Sequence, residues 1–149
     1  MSTTLRRILL VEDSLNDIML AKAAMEEIHL LNQLDVVRDG VEALDYLFCR
    51  GNYVERSPEN PLVVMLDLKM PRLGGLEVLE EIRRHERFLG MPVVMLTSSR
   101  EESDLVSSYR LGVNAFVVKP VDFEQFNEVV RSLGLFWGVF NKAPGELTR

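Results

Sequence analysis

The chain has 149 residues, 47% hydrophobic and 27% charged, with a formal net charge of −6. That length suits one domain with a sizeable core, and the acidic balance counts against nucleic-acid binding by bulk electrostatics. A single cysteine, Cys49, permits no internal disulfide and suits a reducing cytosol. No apolar run approaches the roughly 20 residues that span a bilayer. The run after Arg6-Arg7 meets Glu12-Asp13 too soon for a secretory leader. A cytoplasmic protein without a membrane anchor is expected.

In chain order, short β-like runs alternate with amphipathic stretches. Arg7–Val11 is a first strand ending at Glu12-Asp13; Ser14 then caps a helix with Ile18, Ala21, Met25 and Ile28 at helical spacing. Leu34–Arg38 is a second strand, and Asp39-Gly40 opens a helix with Val41, Leu44, Leu47 and Phe48 on one side. Arg50–Asn60 lacks periodicity and reads as a long surface loop. The apolar run from Leu62 delivers Asp67 to its end, with Pro71 four residues later. Its continuity marks a strand buried on both faces. After Gly74-Gly75 a third helix carries Leu76, Leu79 and Ile82. Met91–Leu96 is a fourth strand ending in Thr97-Ser98-Ser99, and Glu101–Leu111 a fourth helix stopped by Gly112. Ala115–Val118 is a fifth strand ending in Lys119-Pro120; a last helix begins near Asp122 and presents Phe123, Phe126, Val130 and Leu133.

Five strand–helix alternations imply an α/β domain: a doubly wound parallel sheet between two helical layers. Right-handed crossovers make the strand order 2-1-3-4-5 the natural one. Its switch point, between the first and third strands, would bring Glu12, Asp13 and Asp67 together. In a parallel sheet the strand ends bearing these acids, Thr97 and Lys119 share one edge. Clustered carboxylates with room for water suit a hard divalent cation such as Mg²⁺. Lysine offers a compact charge to phosphoryl oxygens, and threonine a hydroxyl. Together these groups suit phosphoryl transfer onto a carboxylate. Taken singly, each has a plainer reading: Asp67 as a turn or cap residue, Thr97 as a turn residue, Lys119 as a surface lysine. Their joint placement at successive strand ends favours the site.

At ILLVEDS, RDGVEAL, VVMLDLKMPRLGGLEVL, PVVMLTSS and NAFVVKP the sequence resembles the receiver domain of two-component response regulators, along nearly its whole length. The resemblance implies a flavodoxin-like (βα)5 fold and phosphorylation of Asp67 by a sensor histidine kinase, with Mg²⁺ or Mn²⁺ as cofactor. It makes Asp13, Asp67 and the backbone carbonyl of Lys69 metal ligands, with Glu12 acting indirectly. Thr97 becomes the switch hydroxyl, Phe116 the switch aromatic and Lys119 the phosphate-binding lysine, followed by a cis bond to Pro120. On phosphorylation Thr97 would bond a phosphoryl oxygen and Phe116 would fill the space it leaves. The plainer reading of Phe116, a core aromatic, has equal weight. Lys69 and Ser99 would influence the phosphate's lifetime.

The second helix, the long loop and the C-terminal segment are also similar to standalone receivers paired with phytochromes, which implies a light-sensing kinase as partner. The expected organisation is one receiver over residues 1–149, with residues 136–149 an aromatic extension and no output domain. The output would be a protein contact or onward phosphotransfer. Leu135, Phe136, Trp137, Val139 and Phe140 would either cap the core or, with the last helix, form a homodimer contact, which the size of the cluster favours. His29 and His85 read as solvated or packing residues and Cys49 as a small apolar filler. Two functions compete. An aspartate-nucleophile phosphatase would want an acid at position 69, where Lys69 stands. A flavin carrier would want a Ser/Thr/Gly-rich loop where Glu12-Asp13-Ser14 stands.

Overall fold

The structure, a computed structural model, describes residues 6–99 and 111–134. The expected helix at Glu101–Leu111 and the aromatic segment after Gly134 therefore fall almost wholly outside the described residues. Five strands, β1 (Ile8–Val11), β2 (Leu34–Val37), β3 (Val63–Asp67), β4 (Val93–Thr97) and β5 (Ala115–Val118), form one sheet in the order β2-β1-β3-β4-β5. Every pairing is parallel, with Val11 opposite both Val37 and Leu66, Asp67 opposite Leu96, and Thr97 opposite Val118. The continuous apolar runs are buried on both faces, as parallel strands require.

Alternation along the strands divides the core in two. Leu9, Val11, Val64, Leu66, Val93 and Met95 pack under α2 (Gly40–Leu47) and α3 (Gly75–Arg84), with Phe88 fully buried among them. Ile8, Leu10, Val63, Met65, Val94 and Leu96 pack under α1 (Leu15–Glu27) and the C-terminal helix (Phe123–Ser132), around Met25, Phe126 and Val130. Burying a large apolar side chain contributes about 1.5–3 kcal/mol, so these two layers carry most of the fold. Ser14, Asp39 and Asp122 cap their helices by accepting from the backbone amides of Asp17, Glu42 and Gln125.

Some placements differ from expectation. Val41, expected on the core side of α2, is exposed, because Ala43, Leu44, Tyr46 and Leu47 already supply the buried face. Cys49, expected as a small apolar filler near a helix end, is half-buried just past α2 in a left-handed conformation, and its thiol reaches the Ser57 carbonyl. The long loop contains a short 3-10 turn at Gly51–Tyr53 and is held by Arg56, whose guanidinium stacks on Tyr46 at 4.1 Å and donates to the Tyr46 carbonyl at 2.8 Å. Tyr46 in turn donates to Asp35, which also receives Arg7. His29 is exposed beyond α1. His85 ends α3, with its ring edge-on to Phe48 and near Glu81.

Candidate functional site

Each functional side chain sits where a buried strand meets solvent at the C-terminal edge of the sheet. β1 ends against Glu12, whose amide continues the pairing by donating to the Val37 carbonyl. Glu12 is 1% exposed, and its carboxylate accepts from the Ser14 amide, so the turn into α1 fixes its direction. Asp13 is half-buried. Asp67 closes β3 at 3% exposure. Carboxylate oxygens of Glu12, Asp13 and Asp67 all lie within 4.8 Å of one another.

The close approach of α3 behind Asp67 depends on Gly75. Its amide donates to the Leu68 carbonyl, and a Cβ at this position would stand 2.3 Å from the Asp67 carbonyl oxygen. No side chain fits there without displacing the strand end.

From the opposite side, β5 delivers Lys119, whose amide donates to the Thr97 carbonyl. The peptide that follows, to Pro120, is cis. The ammonium lies 3.2 Å from Asp67, 3.3 Å from Glu12 and 3.1 Å from Asp17. Burial and the charge of Glu12 push the Asp67 carboxyl up, to about 7, against the opposing pull of Lys119. Burial disfavours the Lys119 charge, but Asp67 and Glu12 outweigh it and hold its pKa above the usual lysine value. Among the described residues, Glu12, Asp13, Asp17 and Asp67 outnumber the Lys119 ammonium at this cluster, which is the electrostatic setting a divalent ion relieves.

Thr97 closes β4 at 1% exposure, and its hydroxyl oxygen has no hydrogen-bond partner among the described residues. Leaving a buried hydroxyl unpaired costs about 1–3 kcal/mol. Lys69 follows Asp67 by two residues with its side chain exposed, and Ser99 is exposed beyond Thr97. Phe116 is partly buried on β5, one strand from Met95, and packs against the core on the α2–α3 side.

Four expected residues thus converge, Glu12, Asp13, Asp67 and Lys119, and Thr97 ends the strand beside Asp67. The site also contains Asp17, which the sequence reading had not singled out; its one signal is an acid a helical turn after Asp13, an ordinary helix-start feature.

The response regulator receiver domain family matches residues 8–131. The chain belongs to this family. Among solved structures this receiver is 51% identical to the bacteriophytochrome response regulator RtBRR, with a TM-score of 0.84, covering 97% of this chain and 88% of that one. It is 37% identical to the response regulator Rcp1 of Synechocystis sp. over 130 residues, 87% of each chain. A crystal structure of the Mn(2+)-bound form of Rcp1 has a TM-score of 0.67 at 34% identity, covering 89% of this chain and 94% of that one. The receiver fold and the likeness to standalone phytochrome response regulators therefore hold for this chain, and the sheet order matches the flavodoxin-like arrangement.

Proposed function

We propose that this receiver accepts a phosphoryl group on Asp67 from the phosphohistidine of a phytochrome-type sensor histidine kinase in a Mg²⁺-dependent reaction, and that the modification switches a protein-contact surface. The observation that carries this is the convergence of Glu12, Asp13 and Asp67, two of which, Glu12 and Asp67, share the Lys119 ammonium. The likeness to bacteriophytochrome regulators supports the choice of kinase, and the Mn(2+)-bound Rcp1 structure supports a divalent cation.

Asp13, Asp67 and the Lys69 carbonyl are the groups that would hold the cation, with Glu12 behind them. When bound, the cation supplies positive charge to phosphoryl oxygens and to the crowded carboxylates. The chain's own part is orientation. β3 and Gly75 hold Asp67 so that an oxygen can attack phosphorus as the phosphorus–nitrogen bond to histidine breaks. Lys119 steadies the oxygens of the transferred group, and Thr97, whose buried hydroxyl has no partner among the described residues, donates to one of them. Phe116 then follows Thr97 and changes the packing of the β5 face.

In this reading the protein is a signalling phosphoacceptor rather than a turnover enzyme, and it works in the cytoplasm without contacting nucleic acid. Homodimerisation through the C-terminal helix and following segment, and a downstream protein or phosphotransfer partner, complete the proposal. Incubation with acetyl phosphate and Mg²⁺ should add one phosphoryl mass to the intact protein, and Asp67→Asn should abolish it. Continued labelling of that variant would move the acceptor elsewhere. Catalytic turnover of small phosphate esters would make the protein an aspartate-nucleophile phosphatase instead.

A further inference from the structure

The ammonium of Lys119 has three N–H donors and no acceptor. Three carboxylates from three segments of the chain surround it: Glu12 from the end of β1, Asp67 from the end of β3 and Asp17 from the first turn of α1. All its donors are therefore engaged. Transfer turns one Asp67 oxygen into the bridging ester oxygen, but before transfer Asp67 is still a carboxylate, and the ammonium can turn to the incoming phosphoryl group only if Glu12 or Asp17 gives way. Exposure decides between these two: the side chain of Glu12 is 1% exposed, whereas that of Asp17 is 25% exposed. Water can replace the ammonium at Asp17, but it cannot reach Glu12.

An acid at this point of α1 is favoured by the helix dipole alone. The dipole does not require the side chain to reach Lys119 at 3.1 Å, the shortest of the three contacts. Ser14 already occupies the Asp17 amide, so the helix start is capped independently of the Asp17 carboxylate.

We propose that Asp17 is a positioning residue that holds the Lys119 ammonium in the unphosphorylated pocket and is the partner exchanged for a phosphoryl oxygen, which makes the strength of this contact a brake on phosphoryl acceptance. The proposal rests on the phosphoacceptor reading above. A neutral amide at position 17 weakens the hold without removing an acceptor, so the ammonium turns to the incoming group more readily.

The test compares labelling rates by acetyl phosphate at fixed Mg²⁺. Asp17→Asn should label about three- to tenfold faster than the unmodified protein, a change of about 0.7–1.4 kcal/mol at the tenfold-per-1.36 conversion. In a Lys119→Ala background the same substitution should change the rate less than twofold. A gain that persists without Lys119 would mean that Asp17 acts as a general negative charge, and this would overturn the proposal. Carboxyl carbon NMR gives a readout that a helix-stability role would not move: on phosphorylation the Asp17 carboxyl signal should shift to the value of a solvated aspartate. An Asp17 signal unchanged by phosphorylation would also overturn it. Failure of the unmodified protein to take label, or labelling of Asp67→Asn, would instead sink the phosphoacceptor reading, so the two failures are distinct.

Discussion

Replacing Asp67 by Asn should stabilise the metal-free protein, even though it destroys the proposed activity. Glu12 and Asp13 oxygens lie within 4.8 Å of Asp67 oxygen, so at an effective dielectric of 20 each full charge repels it by about 3.5 kcal/mol or more. The half-buried Asp13 is screened and counts for less. Lys119 at 3.2 Å attracts it by about 5 kcal/mol on the same scale. The charges alone therefore come close to cancelling, and the desolvation of a carboxylate at 3% exposure, several kcal/mol for a buried ion, tips the balance. A net gain of about 2 kcal/mol for Asn corresponds to a rise in Tm of about 5 °C for a chain of this size.

The sign of the pH dependence follows from the raised Asp67 pKa. The stability associated with this group is fully present below the unfolded carboxyl value, about 4, and is lost as pH rises through about 7. The advantage of Asp67→Asn should thus be greatest in EDTA at pH 8 and fade on acidification. Added Mg²⁺ should stabilise the unmodified protein by about 2.7 kcal/mol at a hundred times its Kd, closing or reversing the gap. Differential scanning calorimetry at pH 8 and at about pH 5, below the Asp67 value of about 7, with and without Mg²⁺, measures each limb. A variant melting at or below the unmodified protein in EDTA at pH 8 would refute the reasoning.

Two further substitutions separate the site's geometry from its chemistry. Thr97→Val removes a buried hydroxyl without a partner among the described residues; urea unfolding should show the unphosphorylated protein unchanged or more stable by about 1 kcal/mol, while the chemical-shift changes that phosphorylation produces along β5 shrink. Gly75→Ala drives a methyl group to 2.3 Å from the Asp67 carbonyl oxygen, so it should lower stability by about 1–3 kcal/mol and slow acetyl phosphate labelling together, both read on the same preparation.

Much of this protein could be read from its residues. The runs at Ile8–Val11, Val63–Asp67 and Val93–Thr97 are apolar without alternation because both faces are covered, and that continuity alone identifies parallel strands. Once the sheet is parallel, every strand end carrying Glu12, Asp13, Asp67, Thr97 or Lys119 must fall on one edge, so the candidate site follows from chain order. Val41 was misplaced because its position in α2 fits an apolar stripe, whereas the buried face is already filled by its neighbours.

What the order of residues left open was the pattern of bonds within the site. An aspartate in the first turn of a helix satisfies the dipole whichever way it points, so the contact of Asp17 with Lys119 exists only because the packed chain brings the start of α1 within reach of the Lys119 side chain. Whether Thr97 has a partner depends likewise on what surrounds the end of β4, and the need for glycine at position 75 on how closely α3 approaches Asp67. Strand-edge placement is set by hydrophobic pattern and handedness, which act over whole segments. Donor–acceptor pairing and steric clearance are settled over a few ångströms between residues far apart in sequence, and only the packed chain determines them.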